Sequence, residues 1–234
     1  MDYQAVLELG LSPDLATLTQ RTSALAESMG FGLCSGVLIR GRFGSANASM
    51  RAFGNPPAGY EDTVASLPEG LRDPLLGALL ARPGCVAYDQ AFYASQGAGD
   101  LWEAQAPFGF QQGLAVALHQ PSHAEAFLLG LDGPDELPGG NARLLLQGQL
   151  QVVAMHAQAA MERITGTPAP VDLTQPERNA LKLAGATVVR HRGKLSAISQ
   201  LGADPALLSA ASKLGARTAH AVALRAIDGG LLHP

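Results

Sequence analysis

The chain has 234 residues, a mass of 24.2 kDa and a formal net charge of −4. Apolar residues make up 47% and charged residues 15%, enough to build a core, and this excludes an intrinsically disordered chain, which needs low apolar content and high net charge. The charge is uneven: residues 1–170 carry 8 basic and 16 acidic groups, and residues 171–234 carry 8 basic and 4 acidic groups. An acidic first part joined to a basic second part reads as two domains. Nucleic acid is the usual partner of a basic domain, and a two-domain enzyme with an uneven surface is the alternative. Cys34 and Cys85 make no disulfide framework and leave open one disulfide or two buried thiols, with free thiols expected. No charged amino-terminal region precedes an apolar run, and no uninterrupted apolar stretch approaches about 18 residues, so neither a signal peptide nor a membrane span is expected and the default setting is cytoplasmic.

In chain order, Ser12-Pro13-Asp14 reads as a helix start, with Ser12 as the cap and Asp14 at the positive end of the dipole. Leu15, Leu18, Leu25 and Met29 fall on one helical stripe, and Gly30 ends it. Residues 31–40 and, more weakly, 43–53 read as strands of a hairpin joined around Gly41. After the break at Asn55-Pro56-Pro57, Tyr60 to Ser66 predicts a short helix. Asp73-Pro74 opens another, with Leu75, Leu76, Leu79 and Leu80 as its apolar face. Cys85 to Tyr88 is a short strand and Ala98 to Ala106 a helix. Gly113 to His119 and Ala124 to Leu131 are apolar runs of strand length across a Gln120-Pro121-Ser122 turn, which suits an antiparallel hairpin. Asn141 to Ile164 is a long amphipathic helix, with Leu144, Leu145, Val152, Met155 and Ala159 among its apolar positions. The first domain is therefore α+β, an antiparallel sheet flanked by helices.

The proline-rich stretch Gly166 to Pro170 reads as a linker, semi-stiff through its prolines. The division expected is an α+β domain over 1–165, a linker over 166–172 and a small all-α domain over 173–234. In the last of these, Thr174 caps a helix whose third residue is Glu177, a capping box. Asp204-Pro205 starts a helix that Lys213-Leu214-Gly215 ends, and Thr218 to Asp228 forms a final one.

Catalytic and metal signatures are missing from the sequence. There is no P-loop, no Gly-x-Gly-x-x-Gly after a strand, no His-Glu-x-x-His and no Gly-x-Ser-x-Gly elbow. The six histidines have no metal-ligand spacing. His119 and His123 bracket a turn and read as solvated loop residues. Cys34 lies in a buried strand and reads as a core thiol, because a nucleophile needs a partly exposed electropositive site. No enzyme, metal or cofactor is expected.

The tail carries the strongest pattern. Leu173-Thr174-Gln175-Pro176-Glu177-Arg178, Lys213-Leu214-Gly215-Ala216, Ala221-Val222-Ala223-Leu224 and the ending Gly230-Leu231-Leu232 resemble the helix-turn-helix domain of LuxR-type regulators. The front half is similar to that family's autoinducer-binding domain. Tyr60 stands where the family has a Trp, Asp73-Pro74 follows, and Tyr88 takes the place of a second Trp. Phe108-Gly109-Phe110-Gln111-Gln112-Gly113 matches a phenylalanine-glycine stretch before the fourth strand. The resemblance implies an α-β-α sandwich around a five-stranded antiparallel sheet that encloses an acyl-homoserine lactone, followed by a divergent helix-turn-helix-like domain. It implies that the residue at Tyr60 donates to the lactone carbonyl and that Asp73 accepts the ligand amide N–H. It assigns Val64 to the position of a ligand-contacting Tyr, Trp102 to the helix covering the pocket, and Tyr88 and Gly113 to the ligand site.

The same resemblance assigns DNA contact to a helix in the tail, yet no Lys or Arg occurs from Leu195 to Ser212. DNA affinity comes largely from neutralised phosphates, and direct readout needs polar side chains at base edges. The basic residues nearest to it, and the ones assigned to DNA, are Arg190, Arg192 and Lys194 before that stretch and Lys213 after it. Two readings stay open. One is a homodimeric, ligand-responsive quorum-sensing transcription factor. The other is a DNA-binding-deficient family member that acts by pairing with itself or a related regulator, with or without ligand. A small-molecule-binding protein of unrelated ancestry is a third.

Overall fold

In the computed structural model, which describes residues 2–41, 43, 48–66, 73–119, 125–166, 172–190, 204–214, 222 and 226, and only the backbone at 64–66 and 185–190, the chain begins with a helix that the sequence patterning missed. Helix α1 (Tyr3–Gly10) starts on Asp2, whose carboxylate accepts the Gln4 N–H. Helix α2 (Leu15–Ser28) is capped by Asp14, which accepts the Thr17 N–H at 2.8 Å. Ser12 is not the cap. It is buried, and its hydroxyl donates to the Leu9 carbonyl at 2.7 Å to close α1.

Strands β1 (Leu33–Arg40), β2 (Ser49–Gly54), β3 (Gly84–Tyr88), β4 (Gln112–His119) and β5 (Glu125–Gly133) form one five-stranded sheet in the order β2-β1-β5-β4-β3. The sheet is antiparallel, as the resemblance implied. Register pairs Leu114 with Leu131, Val116 with Leu129 and Leu118 with Phe127, and at the other junction Tyr88 with Gly113. Because side chains alternate along a strand, one face of the sheet carries Cys34, Leu38, Leu114, Val116, Phe127, Leu129 and Leu131. These pack with Val6, Leu9, Leu18 and Leu25 of α1 and α2 into the main core.

Helix α7 (Gly140–Thr165) completes that core through Leu150, Val153, Ala154, Ala157, Ala160 and Met161. This corrects the expected stripe: Leu144, Leu145, Val152 and Met155 are exposed, at 66%, 69%, 40% and 62%. The helix is apolar on two sides, so periodicity alone does not say which side meets the sheet. On the remaining stretches lie α3 (Tyr60–Ser66), α4 (Pro74–Ala81), α5 (Gln90–Ser95) and α6 (Gly99–Gln105). Helix α5 was also missed. Asp89 caps it by accepting the Phe92 N–H at 2.8 Å, and it is too short for a periodic signal.

The chain divides into two compact units, and the first comprises Met1–Leu38, Met50–His119 and Ala126–Gly166. The second contains α8 (Gln175–Arg190) and α9 (Pro205–Lys213). Its core is Leu173, Leu181, Leu207, Ala210, Ala211, Val222 and Ala226. The capping box forms: Glu177 Oε2 accepts the Thr174 N–H at 2.6 Å, and Thr174 Oγ1 accepts the Glu177 N–H at 3.4 Å. Residues 167–171 of the expected linker and the expected last helix, apart from Val222 and Ala226, lie outside the described residues.

Candidate functional site

The sheet face opposite α7 carries Ser35, Val37, Tyr88 and Asp132, out of step with the core residues of the same strands. Together with α2, α3, α4, α5 and α6 they line a cavity of about 590 Å³, within the size range of small-molecule pockets. Three of the residues singled out from the sequence, Tyr60, Asp73 and Tyr88, meet there.

Tyr60, at the start of α3, stacks on Phe110 with ring centroids 4.2 Å apart and meets Phe108 edge-on at 5.7 Å. Burial, and then the charges of Asp132 and Asp73, push its hydroxyl up to about 12. It therefore stays protonated at neutral pH and can donate a hydrogen bond into the cavity. Asp73 does two jobs. It caps α4 by accepting the Leu75 N–H at 2.9 Å, and it accepts the Tyr93 hydroxyl at 3.2 Å. Burial raises the Asp73 carboxyl above its ordinary range, opposed by the bonds from Leu75 and Tyr93.

Tyr88 is buried and donates its hydroxyl to Asp132 Oδ1. Asp132 is only 2% exposed. Burial pushes its carboxyl up to about 7, the Tyr88 bond pulls it down, and the charge of Asp73 pushes it further up. The Tyr88 and Tyr93 rings meet edge-on, with centroids 6.3 Å apart, so two tyrosine–carboxylate pairs stand side by side. Burial, followed by the neighbouring carboxylates, raises both hydroxyls above the ordinary tyrosine range.

Gly113 makes room for this arrangement. A Cβ there would stand 2.3 Å from the Leu131 carbonyl and 2.6 Å from Tyr88 Oη. Trp102 is not among the cavity-lining residues, and its indole N–H donates to the Gln111 carbonyl at 2.7 Å, tying α6 to the entry of β4. The Val64 side chain lies outside the described residues. Sequence reasoning missed Tyr93 and Asp132. Tyr93 sits on the unpredicted α5. Asp132 was legible, because the alternation that buries Phe127, Leu129 and Leu131 on one face carries on to place residue 132 on the other.

In the second unit, Lys213 donates to Glu177 Oε2 at 2.9 Å and to the Asp172 carbonyl at 2.8 Å. Hydrogen bonds from Ser209, Lys213 and Thr174 hold Glu177 down to about 2. The ammonium expected to face DNA is thus already bound within the unit. Arg192 and Lys194, and the side chain of Arg190, lie outside the described residues. The exposed residues of α9 are Pro205, Leu208, Ser209, Ser212 and Lys213, with the Ser209 hydroxyl donating to Glu177 Oε1 at 2.6 Å. Cys34 and Cys85 are both free thiols. His119, read as a loop residue, lies at the end of β4, with Nε2 2.9 Å from the Leu79 carbonyl. Among the described residues no group of three His, Cys, Asp or Glu side chains is placed to hold a metal ion, and no helix is long and apolar enough to cross a membrane.

The helix-flanked antiparallel sheet thus carries an aromatic, carboxylate-bearing cavity of small-molecule size. The sequence matches the autoinducer binding domain model over residues 14–161, more than half of its length, and the chain belongs to that family, the sensor family of LuxR-type regulators. No curated protein matches the chain by sequence. Among solved structures, Escherichia coli SdiA is similar at 15% identity and a TM-score of 0.69, over 94% of this chain and 92% of its own. SdiA in complex with octanoyl-rac-glycerol is similar at 16% identity and a TM-score of 0.68, over 99% of this chain and 95% of that one. The N-acylhomoserine-lactone-dependent LuxR-family transcription factor CepR2 of Burkholderia cenocepacia is similar at 18% identity and a TM-score of 0.56, over 70% of this chain and 98% of its own. Identities this low speak to the fold.

Proposed function

We propose that the protein is a homodimeric quorum-sensing regulator of the LuxR type that binds an amphiphilic autoinducer in the sensor cavity and carries its output in the second unit. The observation that carries the reading is the meeting of Tyr60, Asp73 and Tyr88 on one cavity. Tyr60 donates to a ligand carbonyl, and Asp73 accepts a ligand N–H. The apolar remainder, including Leu15, Val37 and Phe53, takes an acyl chain. The exposed apolar side chains of α7 support a dimer. A thermal melt with N-octanoyl homoserine lactone tests the pocket, because a ligand that binds only the folded state raises its stability. A shift in the wild type that shrinks in Asp73→Ala supports the reading. No shift with acyl-homoserine lactones of any chain length, together with wild-type behaviour of Asp73→Ala, removes it.

For the output, the family reading is DNA binding by the second unit. A second reading, action through a protein partner without DNA, is favoured by the absence of Lys and Arg from α9 before its last residue and by the tie between that residue, Lys213, and Glu177. An anisotropy titration of the full chain with duplex DNA at low salt separates them. Micromolar or tighter binding with steep salt dependence establishes DNA as the target, and no binding even to random duplex leaves the protein partner.

A further inference from the structure

The cavity's polar end is short of positive charge. Asp73 and Asp132 line it, with Glu61 exposed at its edge, and no Lys or Arg does so among the described residues. The Tyr88 and Tyr93 hydroxyl protons are committed to the two aspartates. Asp132 is the less satisfied of the pair. Its Oδ1 takes the Tyr88 proton, and no hydrogen bond reaches Oδ2 among the described residues. A carboxylate has about four acceptor sites; the Tyr88 bond fills one, and Oδ2 is left to the cavity that Asp132 lines.

Gly130 shows what the free oxygen faces. A Cβ on Gly130 would stand 3.3 Å from Ser35 Oγ and 3.8 Å from both Asp132 Oδ2 and Tyr88 Oη. Three oxygens from β1, β3 and β5 therefore converge on a niche that exists because residue 130 has no side chain. Tyr88, whose O–H points at Asp132, offers an oxygen lone pair, Asp132 offers another, and Ser35 can accept as well. Such a niche is built to receive N–H groups, and a positive charge there supplies the missing counter-ion.

We propose that the Gly130 niche binds a protonated amine, so that the ligand of this sensor is an amphiphile carrying a cationic nitrogen as well as an acyl chain. This rests on the reading that the cavity binds a ligand at all. Asp73 remains available for an amide N–H in the same molecule.

The test compares three probes on the full-length protein: the monoamide of ethylenediamine with octanoic acid, its neutral N-acetyl derivative, and N-octanoyl homoserine lactone. Calorimetric titration at pH 7.5 is expected to show the amine binding at least about tenfold tighter than its acetylated twin, as a desolvated charge pair allows. Asp132→Asn and Gly130→Ala should each abolish that preference, the first by removing the charge and the second by filling the niche. Their unliganded melts establish that they fold, and Gly130→Ala decides if Asp132→Asn does not. A preference that survives in folded Asp132→Asn or Gly130→Ala overturns the assignment to the niche. Binding of the neutral probes as tight as that of the amine overturns the proposal and leaves the ligand reading standing. Binding of none of the three overturns both.

Discussion

Replacing Asp132 by Asn should flatten the decline in stability of the sensor unit as pH rises. Asp132 holds its proton up to about pH 7 in the fold, against an ordinary value of 3.8. Below about pH 4 the folded and unfolded states both carry that proton, and above about pH 7 neither does. Between these limits the folded state keeps a proton that the unfolded state has lost, so stability declines as pH rises, by about 1.4 kcal/mol per unit. Across the whole window the decline is roughly 4 kcal/mol, and between pH 5 and pH 7.5 it is about 3 kcal/mol. Asn keeps an acceptor for the Tyr88 hydroxyl but cannot ionise. The raised carboxyl of Asp73 adds a decline of the same sign to both proteins. Urea unfolding of the unliganded full chain at the two pH values measures the difference. Trp102, the only tryptophan, lies on α6 and makes the fluorescence report the sensor unit alone. The variant should gain about 3 kcal/mol on the wild type between pH 5 and pH 7.5. Parallel pH slopes in the two proteins would refute the reasoning, since Asp132 would then be ionised throughout.

Gly113→Ala places a Cβ against the Leu131 carbonyl and Tyr88 Oη; a lower urea midpoint, by about 1–3 kcal/mol in stability, is expected from such overpacking, with weaker ligand binding because Tyr88 must move. Asp73→Ala removes a helix cap as well as a cavity carboxylate, so it should cost about 0.5–2 kcal/mol without ligand, and a larger deficit with ligand present separates its two roles. Glu177→Ala removes the acceptor shared by Thr174, Ser209 and Lys213. Hydrogen exchange of α8 and α9 should speed up while that of the sensor sheet stays unchanged. Glu177 in the wild type should hold the second unit together above its ordinary pKa of 4.5, with that support lost as the pH falls through about 2.

Much of this was legible in the sequence because it is local. The Asp73-Pro74 start of α4, the Tyr60–Ser66 helix and the Thr174–Glu177 capping box all depend on side chains within a few residues of the amides they satisfy. Where two local solutions competed, tertiary structure chose. Ser12 and Asp14 both suit a cap, and the buried end of α1 claimed Ser12. Helix α7 offers two apolar stripes, and the sheet took the one rich in alanine, which lets the helix approach closely. The cavity was legible only in part. Tyr60, Asp73 and Tyr88 came from the family resemblance. Strand alternation places Asp132 on the cavity face, but the pairings of Tyr93 with Asp73 and of Asp132 with Tyr88, 20 and 44 residues apart along the chain, are reported by no local pattern. The role of Gly113 came into view only with the Tyr88 ring packed against it.

The cavity around Tyr60, Asp73, Tyr88 and Asp132 should bind the ligand of the proposed sensor. Thermal melting of the full chain, followed by Trp102 fluorescence with saturating octanoyl amphiphiles, both lactone and amine, tests it most directly. At about one hundred times the Kd, ligand binding to the folded state alone contributes about 2.7 kcal/mol, and the account predicts a rise in Tm of roughly 5–10 °C that shrinks in Asp73→Ala. An unchanged Tm with every amphiphile, in the wild type and the variant alike, would contradict it.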